Sequence, residues 1–327
     1  MANLIISNVC SASCEFCFAS AFLRKKDDEE KFMSMNTFED YLALLDRSGI
    51  DEVRLLGGEP TLHPNFSDFV QMGRARGKRI TVFSNGLITD PALEALLDCP
   101  PEKCAVIINM NARIKKIQKE RKETVLQQLG ERAIAGITVD SLIFSLDPLI
   151  QAIRRYRMKK VIRMGIALPV YGTPVYGVRN QSLLPKQYPA VGKAIVSESY
   201  KTAVADIRIE PDCGFVRCMF SGQELKALDR NGFSFGSYCS PILDCCSNGE
   251  ILHCFALSGF FVTHLQADSD TASIREELTR QTAVWRESGI YPDCSSCYCL
   301  RHGECCGGCL AAAMNRYVPA KTVTVCL

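Results

Sequence analysis

The chain has 327 residues, 47% of them hydrophobic, and a formal charge of +2. It is long enough to bury a sizeable core in one large domain or two unequal ones, and too nearly neutral to advertise a nucleic-acid or membrane partner. No apolar run approaches membrane-spanning length, and no basic segment with a hydrophobic stretch behind it opens the chain, so the expectation is a cytoplasmic protein without a secretory signal.

Eighteen cysteines are gathered at the two ends, with only Cys99 and Cys104 between Cys17 and Cys213. Clustered thiols in a chain without a signal read as ligands for iron–sulfur or zinc rather than as a disulfide framework. Residues 4–6 read as a short strand, followed at once by Cys10-Ser-Ala-Ser-Cys14-Glu-Phe16-Cys17. The C-x3-C-x2-C spacing lets one loop wrap a metal centre with three ligands. On a cubane iron–sulfur cluster, three thiolates leave one iron open to a small molecule. A zinc site with a fourth ligand from elsewhere, or buried cysteines without metal, are the other readings.

A charged connection over 24–31 leads to a helix for which Asn36 is the expected N-cap, with Glu39 completing a capping box. Phe38, Tyr41, Leu42 and Leu45 recur at helical spacing, and Gly49 ends the run. A strand over 53–56 runs into Gly57-Gly58-Glu59-Pro60, and a helix over 66–75 precedes a strand over 80–83 that ends in Ser84-Asn85-Gly86. Then come a helix over 91–98, a strand over 105–108 and a basic helix over about 113–129. A strand over 141–144, a helix over 149–158 and a strand over 161–168 complete the alternation. Strand-then-helix units in series predict an α/β fold with parallel strands and helical crossovers, a partial (β/α)6 barrel. In such a barrel the site lies where strands end, and the cysteine loop, Gly57-Gly58-Glu59-Pro60 and Ser84-Asn85-Gly86 all fall there. The basic stretches, Arg113 to Lys122 and Arg154 to Lys160, read as solvated helix faces or as a surface for an acidic peptide or RNA.

The cysteine loop with an aromatic residue before its last thiol, followed by Gly57-Gly58-Glu59-Pro60 after the second strand, resembles the signature of the radical S-adenosylmethionine (SAM) superfamily. The resemblance implies the same partial barrel. It also implies that Cys10, Cys14 and Cys17 hold a 4Fe–4S cluster whose open iron takes the amine and carboxylate of SAM. The segment from Gly57 to Pro60 would hold the SAM amino group, Glu59 would orient the loop, and Phe16 belongs to the same cofactor surface. Gly57 and Gly58, lacking side chains, let backbone approach a ligand closely. Ser84 and Asn85 stand where related enzymes contact the methionine or ribose portion, or form a plain Asn-Gly turn. Asn109 joins the cofactor candidates, as does Arg163, either a partner for the SAM carboxylate or a surface arginine. His63 reads as a brace for the loop.

Past residue 170 a loop over 171–177, a helix over 185–200 and a strand over 205–210 are expected, and then the thiols return. Cys239 and Cys254 flank Ser247-Asn248-Gly249 as the arms of a hairpin; Cys294, Cys297, Cys305, Cys309 and Cys326 follow. This pattern resembles the SPASM or twitch extension of radical SAM enzymes. It implies a barrel core over 1–205 and a small cysteine-rich α+β domain over 206–327 with one or two auxiliary 4Fe–4S clusters. By the family pairing, Cys239, Cys254 and Cys309, with Cys213 or Cys218, would hold one cluster, and Cys294, Cys297, Cys305 and Cys326 the other. A twitch arrangement would gather Cys239, Cys254, Cys294 and Cys297 around a single cluster. The gap after Cys297 is longer than the family's, which leaves the choice among Cys297, Cys299, Cys305 and Cys306 open. Zinc ribbons are the alternative.

The resemblance implies reductive cleavage of SAM to a 5′-deoxyadenosyl radical that takes a hydrogen from the substrate. Auxiliary clusters would accept an electron from the substrate radical or hold the substrate, and an external donor of flavodoxin or ferredoxin type would supply the reductant. Proteins with this extension commonly modify peptides or proteins by crosslinking or side-chain oxidation. A small-molecule dehydrogenase or epimerase is the second reading. A non-catalytic iron–sulfur electron carrier is the third, and the Gly57-Gly58-Glu59-Pro60 segment argues against it. The chain starts nine residues before Cys10, so no separate leader-binding domain is expected ahead of the barrel. No acid or base is assigned; Asp212, beside Cys213, stays outside the catalytic set.

Overall fold

The computed structural model describes residues 2–19, 23, 31–171, 181–233, 236, 239–258 and 260–317. Strands β1 (Asn3–Ser7), β2 (Glu52–Gly57), β3 (Arg79–Ser84), β4 (Cys104–Asn109), β5 (Ala133–Val139) and β6 (Val161–Ile166) lie side by side in chain order. All pair in parallel, and β7 (Arg208–Pro211) pairs in parallel with β6. Parallel neighbours need a crossover after each strand. Helices α1 (Met35–Arg47), α2 (Phe66–Ala75), α3 (Asp90–Leu97), α4 (Lys119–Leu129), α5 (Asp147–Arg155) and α6 (Tyr188–Val204) supply it. The result is the α/β partial barrel that the alternation predicts.

Strand residues alternate between the helix layer and the lumen. Leu4, Ile6, Val53, Leu55, Ile80 and Val82 are wholly buried and share one core with Phe38, Leu42 and Phe69 of the helices. Phe38 and Phe69 stack with ring centroids 4.0 Å apart, and burying each such ring stabilises the fold by about 2 kcal/mol. The intervening positions, Arg54 and Phe83 among them, line the other face.

Two local expectations differ from the structure. The N-cap of α1 is Ser34, whose Oγ accepts from the Thr37 N–H at 3.1 Å, and not Asn36, which lies inside the helix. Both residue types cap well, so the sequence offered two starts. The strand expected over 141–144 is irregular; β5 runs over Ala133–Val139 instead. Its Ala-Ile-Ala-Gly opening lacks the β-branched density of a strand pattern, because Gly136 passes close to β4, where a Cβ would meet Ile107 Cγ2 at 3.2 Å.

The second half of the chain extends the same sheet. β8 (Asp244–Cys245) pairs in parallel with β1, and β9 (Glu250–Leu252) and β10 (Val262–His264) continue antiparallel, so the order is β10-β9-β8-β1-β2-β3-β4-β5-β6-β7. The hairpin is tied down by side chains: Tyr41 Oη donates to Cys246 O at 2.9 Å, and Asn3 Nδ2 donates to Asp244 Oδ1 at 2.8 Å. Helices α7 (Gly222–Arg230), α8 (Thr271–Arg286), α9 (Tyr298–Arg301) and α10 (Leu310–Asn315) complete the cysteine-rich end. Among the described residues no helix is long and apolar enough to cross a membrane.

Candidate cofactor and metal sites

β1 ends at Ser7 and the chain crosses the strand ends as the 10–17 loop, while β2 ends beside it at Gly57. Gly58 N–H donates to Ser7 O at 2.8 Å and Glu59 N–H to Val9 O at 2.7 Å. A Cβ on Gly57 would stand 2.1 Å from Ser7 O; one on Gly58 would stand 2.5 Å from Val9 O and 2.9 Å from Cys10 Cβ. Beside the ligand approach expected of these glycines, the atoms nearest the missing methyl groups belong to the end of β1 and the start of the cysteine loop. Their bareness is what presses the segment from Gly57 to Pro60 against that loop.

Glu59 is fully buried. Its carboxylate accepts from Thr61 Oγ1 at 2.7 Å, Ser84 Oγ at 3.0 Å and the Asn85 N–H at 2.7 Å. Burial raises its pKa, and those hydrogen bonds pull it back. Asn85 in turn donates from Nδ2 to Ser11 Oγ at 3.1 Å and approaches Cys10 Sγ at 3.8 Å. Its Oδ1 accepts from the Leu87 N–H at 2.8 Å, so the residue forms both the expected turn and a contact with the cysteine loop.

Backbone N–H groups point at two of the three thiols. Ala12 N–H donates to Cys10 Sγ at 3.4 Å and Arg113 N–H to Cys14 Sγ at 3.2 Å. Burial raises the pKa of both thiols and these donors oppose it, stabilising the thiolate form that binds iron. Phe16 is buried behind the loop. His63 braces the other side of the segment, between the Met33 carbonyl and the Asn65 N–H, each at 2.9 Å.

One neighbour escaped the sequence reading. Lys122 belongs to the basic run taken for a solvated face, and Lys115, Lys116 and Lys119 of that run are indeed exposed. Lys122 is buried, its stem lies where a Cβ on Gly86 would be, and Nζ donates to Asn109 O at 2.7 Å. Burial lowers its pKa to about 8, against the opposite pull of Cys14 and Glu59. The signal was available: Val125, Leu126 and Leu129 set the buried face of α4, and Lys122 precedes them at helical spacing.

Arg163 does not stand free. Its Nε donates to Asp212 Oδ2 at 3.0 Å, and its guanidinium carbon lies 5.0 Å from the Phe83 ring centroid, with that of Arg54 at 5.3 Å. For Asp212 burial raises the pKa, but Arg163, the Cys213 N–H and Arg54 together outweigh it and the net shift is downward. The lumen between the 10–17 loop and Cys213 therefore carries an ion pair and a ring faced by two cations.

The later thiols sense one another's charge in two sets that meet at Cys306, which responds to both Cys239 and Cys305. Beyond β7, Asp212 N–H donates to Met164 O at 2.7 Å and Ile166 N–H to Cys213 O at 3.0 Å, so Cys213 is held beside the end of β6. Burial pushes the pKa of Cys213 up, and negative charge on Asp212, Cys239 and Cys309 pushes it further. Cys254 responds in the same way to Cys239, Cys309 and Cys213. Cys309, which receives the Ala312 and Ala311 N–H groups, is raised to about 12 by burial and then by Cys239. Cys218 senses a different set: burial, then Cys294, Cys305 and Cys297, push it to about 11. Cys245 and Cys246 are wholly buried in the hairpin and behave as small core residues. Cys326 lies outside the described residues.

The donor sets are made of thiols, a composition that fits an iron–sulfur cluster. Thiolates on a cubane bind different corners, and sulfur-only sets suit that cofactor.

Residues 4–127 match the model of the Radical SAM superfamily. Over 94 residues the chain is 30% identical to a GTP 3′,8-cyclase of Synechocystis sp., a match that spans 28% of either chain. Solved structures match over more of the length. The anSMEcpe structure with bound AdoMet and Kp18Cys peptide has a TM-score of 0.64 at 16% identity, covering 94% of this chain and 88% of that one. Streptococcus suis SuiB bound to precursor peptide SuiA has a TM-score of 0.61 at 15% identity, covering 83% and 63%. At such identities the likeness is one of fold.

Proposed function

The chain carries a radical SAM domain, and from that premise we propose that it binds SAM beside a 4Fe–4S cluster, cleaves it reductively and takes a hydrogen from a peptide or protein substrate. The observation that carries the reading is the close fit of two strand ends: the three-thiol loop after β1 and the Gly57-Gly58 backbone after β2, in contact at Ser7 and Val9. When bound, the cluster supplies the electron that splits SAM into methionine and a 5′-deoxyadenosyl radical.

Cys10, Cys14 and Cys17 give up their protons and hold the iron. Gly57, Gly58 and Pro60, with Ser84, Asn85, Asn109 and Phe16, form the wall against SAM, and Glu59 keeps the ends of β2 and β3 in register behind it. Arg163, engaged by Asp212, we assign to the lumen wall that substrate meets. Residues 206–327 act as an auxiliary cluster domain in which Cys213, Cys239, Cys254 and Cys309 hold one cluster. A peptide substrate is supported by the peptide-bound relatives of this fold and by that second thiol field. The cyclase relative favours a nucleotide-sized substrate instead, but its match covers 28% of this chain. A one-electron donor of flavodoxin or ferredoxin type completes the system.

The test is anaerobic reconstitution with iron and sulfide, then reduction with SAM present. 5′-Deoxyadenosine should form, and Cys14→Ala should abolish it; undiminished product in that variant would refute the assignment. Deuterium carried from a labelled peptide into deoxyadenosine would identify the substrate class, and transfer from a labelled small molecule alone would favour the second reading.

A further inference from the structure

A cavity of about 300 Å³ lies between the turn Arg217–Met219 and the last cysteine loops. Val216, Phe220 and Ile290 give it apolar walls, and five cysteines line it: Cys218, Cys294, Cys297, Cys299 and Cys305. We propose that this cavity holds a 4Fe–4S cluster on Cys218, Cys294, Cys297 and Cys305, so that Cys218 takes the place expected for Cys326. The inference rests on the reading of this region as an auxiliary cluster domain and specifies one of its ligand sets.

Three chain segments are clamped around the cavity by glycines. A Cβ on Gly192 of α6 would stand 2.2 Å from Met219 O, so the turn bearing Cys218 is pressed onto that helix. A Cβ on Gly289 would stand 2.3 Å from Cys294 Cβ, which brings the Cys294 loop against it. A Cβ on Gly308 would stand 2.9 Å from both Val216 Cγ1 and Ile290 Cγ2, so the loop after Cys305 seats on the other two segments. Ile290 N–H donates to Gly307 O at 2.8 Å and Arg217 reaches Glu304 at 3.9 Å, closing the ring. Backbones that tolerate no methyl group between them hold the three cysteine-bearing segments together around the cavity.

The fifth cysteine is set apart by its place in the chain. Cys299 sits in the one-turn helix α9, where its carbonyl accepts the Glu304 and Cys305 N–H groups at 2.8 and 3.1 Å. Cys213 is held beside β6 and belongs with Cys239, Cys254 and Cys309. Cys218 is thus the one remaining thiol from the segment after β7, and it completes four. Each of the four releases a proton on ligation, and no electron is exchanged.

The experiment starts from the full chain with Cys10, Cys14 and Cys17 replaced by alanine, which leaves the auxiliary sites alone. After anaerobic reconstitution this protein should hold about eight irons, and adding Cys218→Ala should remove about four or leave a three-iron EPR signal. Cys299→Ala and Cys326→Ala should each leave the iron content unchanged. The unmutated holoprotein supplies a second readout that does not depend on the folding of Cys218→Ala. Cys218 is exposed beside the cavity, so iodoacetamide should label it after chelator treatment but not before, with Cys299 labelled in both. Full iron in Cys218→Ala, loss of iron in Cys326→Ala alone, or labelling of Cys218 in the holoprotein would overturn the assignment while sparing the broader reading. Absence of iron from the unmutated chain would overturn both.

Discussion

The carboxylate of Glu59 accepts the backbone N–H of Asn85 at 2.7 Å and so joins the end of β2 to the end of β3. With Thr61 and Ser84 donating to the same group, one buried carboxylate fixes the two loops that flank the cysteine loop. Replacing Glu59 by alanine leaves those donors buried and unpaired, at about 1–3 kcal/mol each. We expect Glu59→Ala to lose roughly 3 kcal/mol or more of stability, with SAM affinity falling alongside. Glu59→Gln, which keeps one acceptor, should fall between. Urea unfolding and SAM titration read the two effects, and a variant as stable as the parent would remove the brace from the account.

Gly58 and Gly222 make a matched pair of substitutions. A Cβ at Gly58 would lie 2.5 Å from Val9 O, whereas one at Gly222 meets nothing within 4 Å. Gly58→Ala should push β2 off the cysteine loop, cost about 2 kcal/mol or more, and lower iron retention at the first site. Gly222→Ala, at the start of α7, should be neutral or stabilising by up to about 1 kcal/mol. Equal behaviour of the two in iron analysis and thermal unfolding would contradict the packing argument.

His63 gives stability a pH dependence of known sign. Nδ1 accepts from the Asn65 N–H, so Nε2 carries the proton toward the Met33 carbonyl. Burial lowers its pKa below 6.5, and the Met33 hydrogen bond opposes this. The folded chain then takes up the proton at lower pH than the unfolded chain. His63 contributes fully above about pH 6.5, and the contribution is lost as pH falls through the folded pKa. The denaturation midpoint should drop between about pH 7.5 and 5.5, and His63→Gln should flatten that drop. An identical slope in the variant would assign the effect to other groups.

Cys99 and Cys104 are 1% and 2% exposed, and Cys99 Sγ donates to Ala95 O at 3.4 Å. Cys104 opens β4 and Cys99 precedes it, at the end of the strand opposite the ligand loops. The double variant Cys99→Ala/Cys104→Ala should keep the full iron content and lose roughly 1–3 kcal/mol of stability from the space left behind. Iron analysis beside thermal unfolding decides it: loss of iron would make these thiols ligands.

What the sequence by itself determined is local. Cys10, Cys14 and Cys17 share one short loop, Gly57 to Pro60 follow a strand directly, and strand–helix alternation leaves a parallel barrel as its natural closure. These features depend on spacings of a few residues, so they are legible without a fold. The packing constraint on Gly57 and Gly58 was not, because the atoms that exclude a methyl group there belong to Ser7 and Val9, some 50 residues away. Lys122 looked solvated because charge is read residue by residue, while burial is set by the helix face that α4 turns toward the barrel. The later thiols make the same point more sharply. Cys213 and Cys218 are five residues apart, yet hydrogen bonds tie the first to β6 while the turn that bears the second is pressed onto α6. Only the tertiary structure decided those two placements, because they depend on where distant backbones touch.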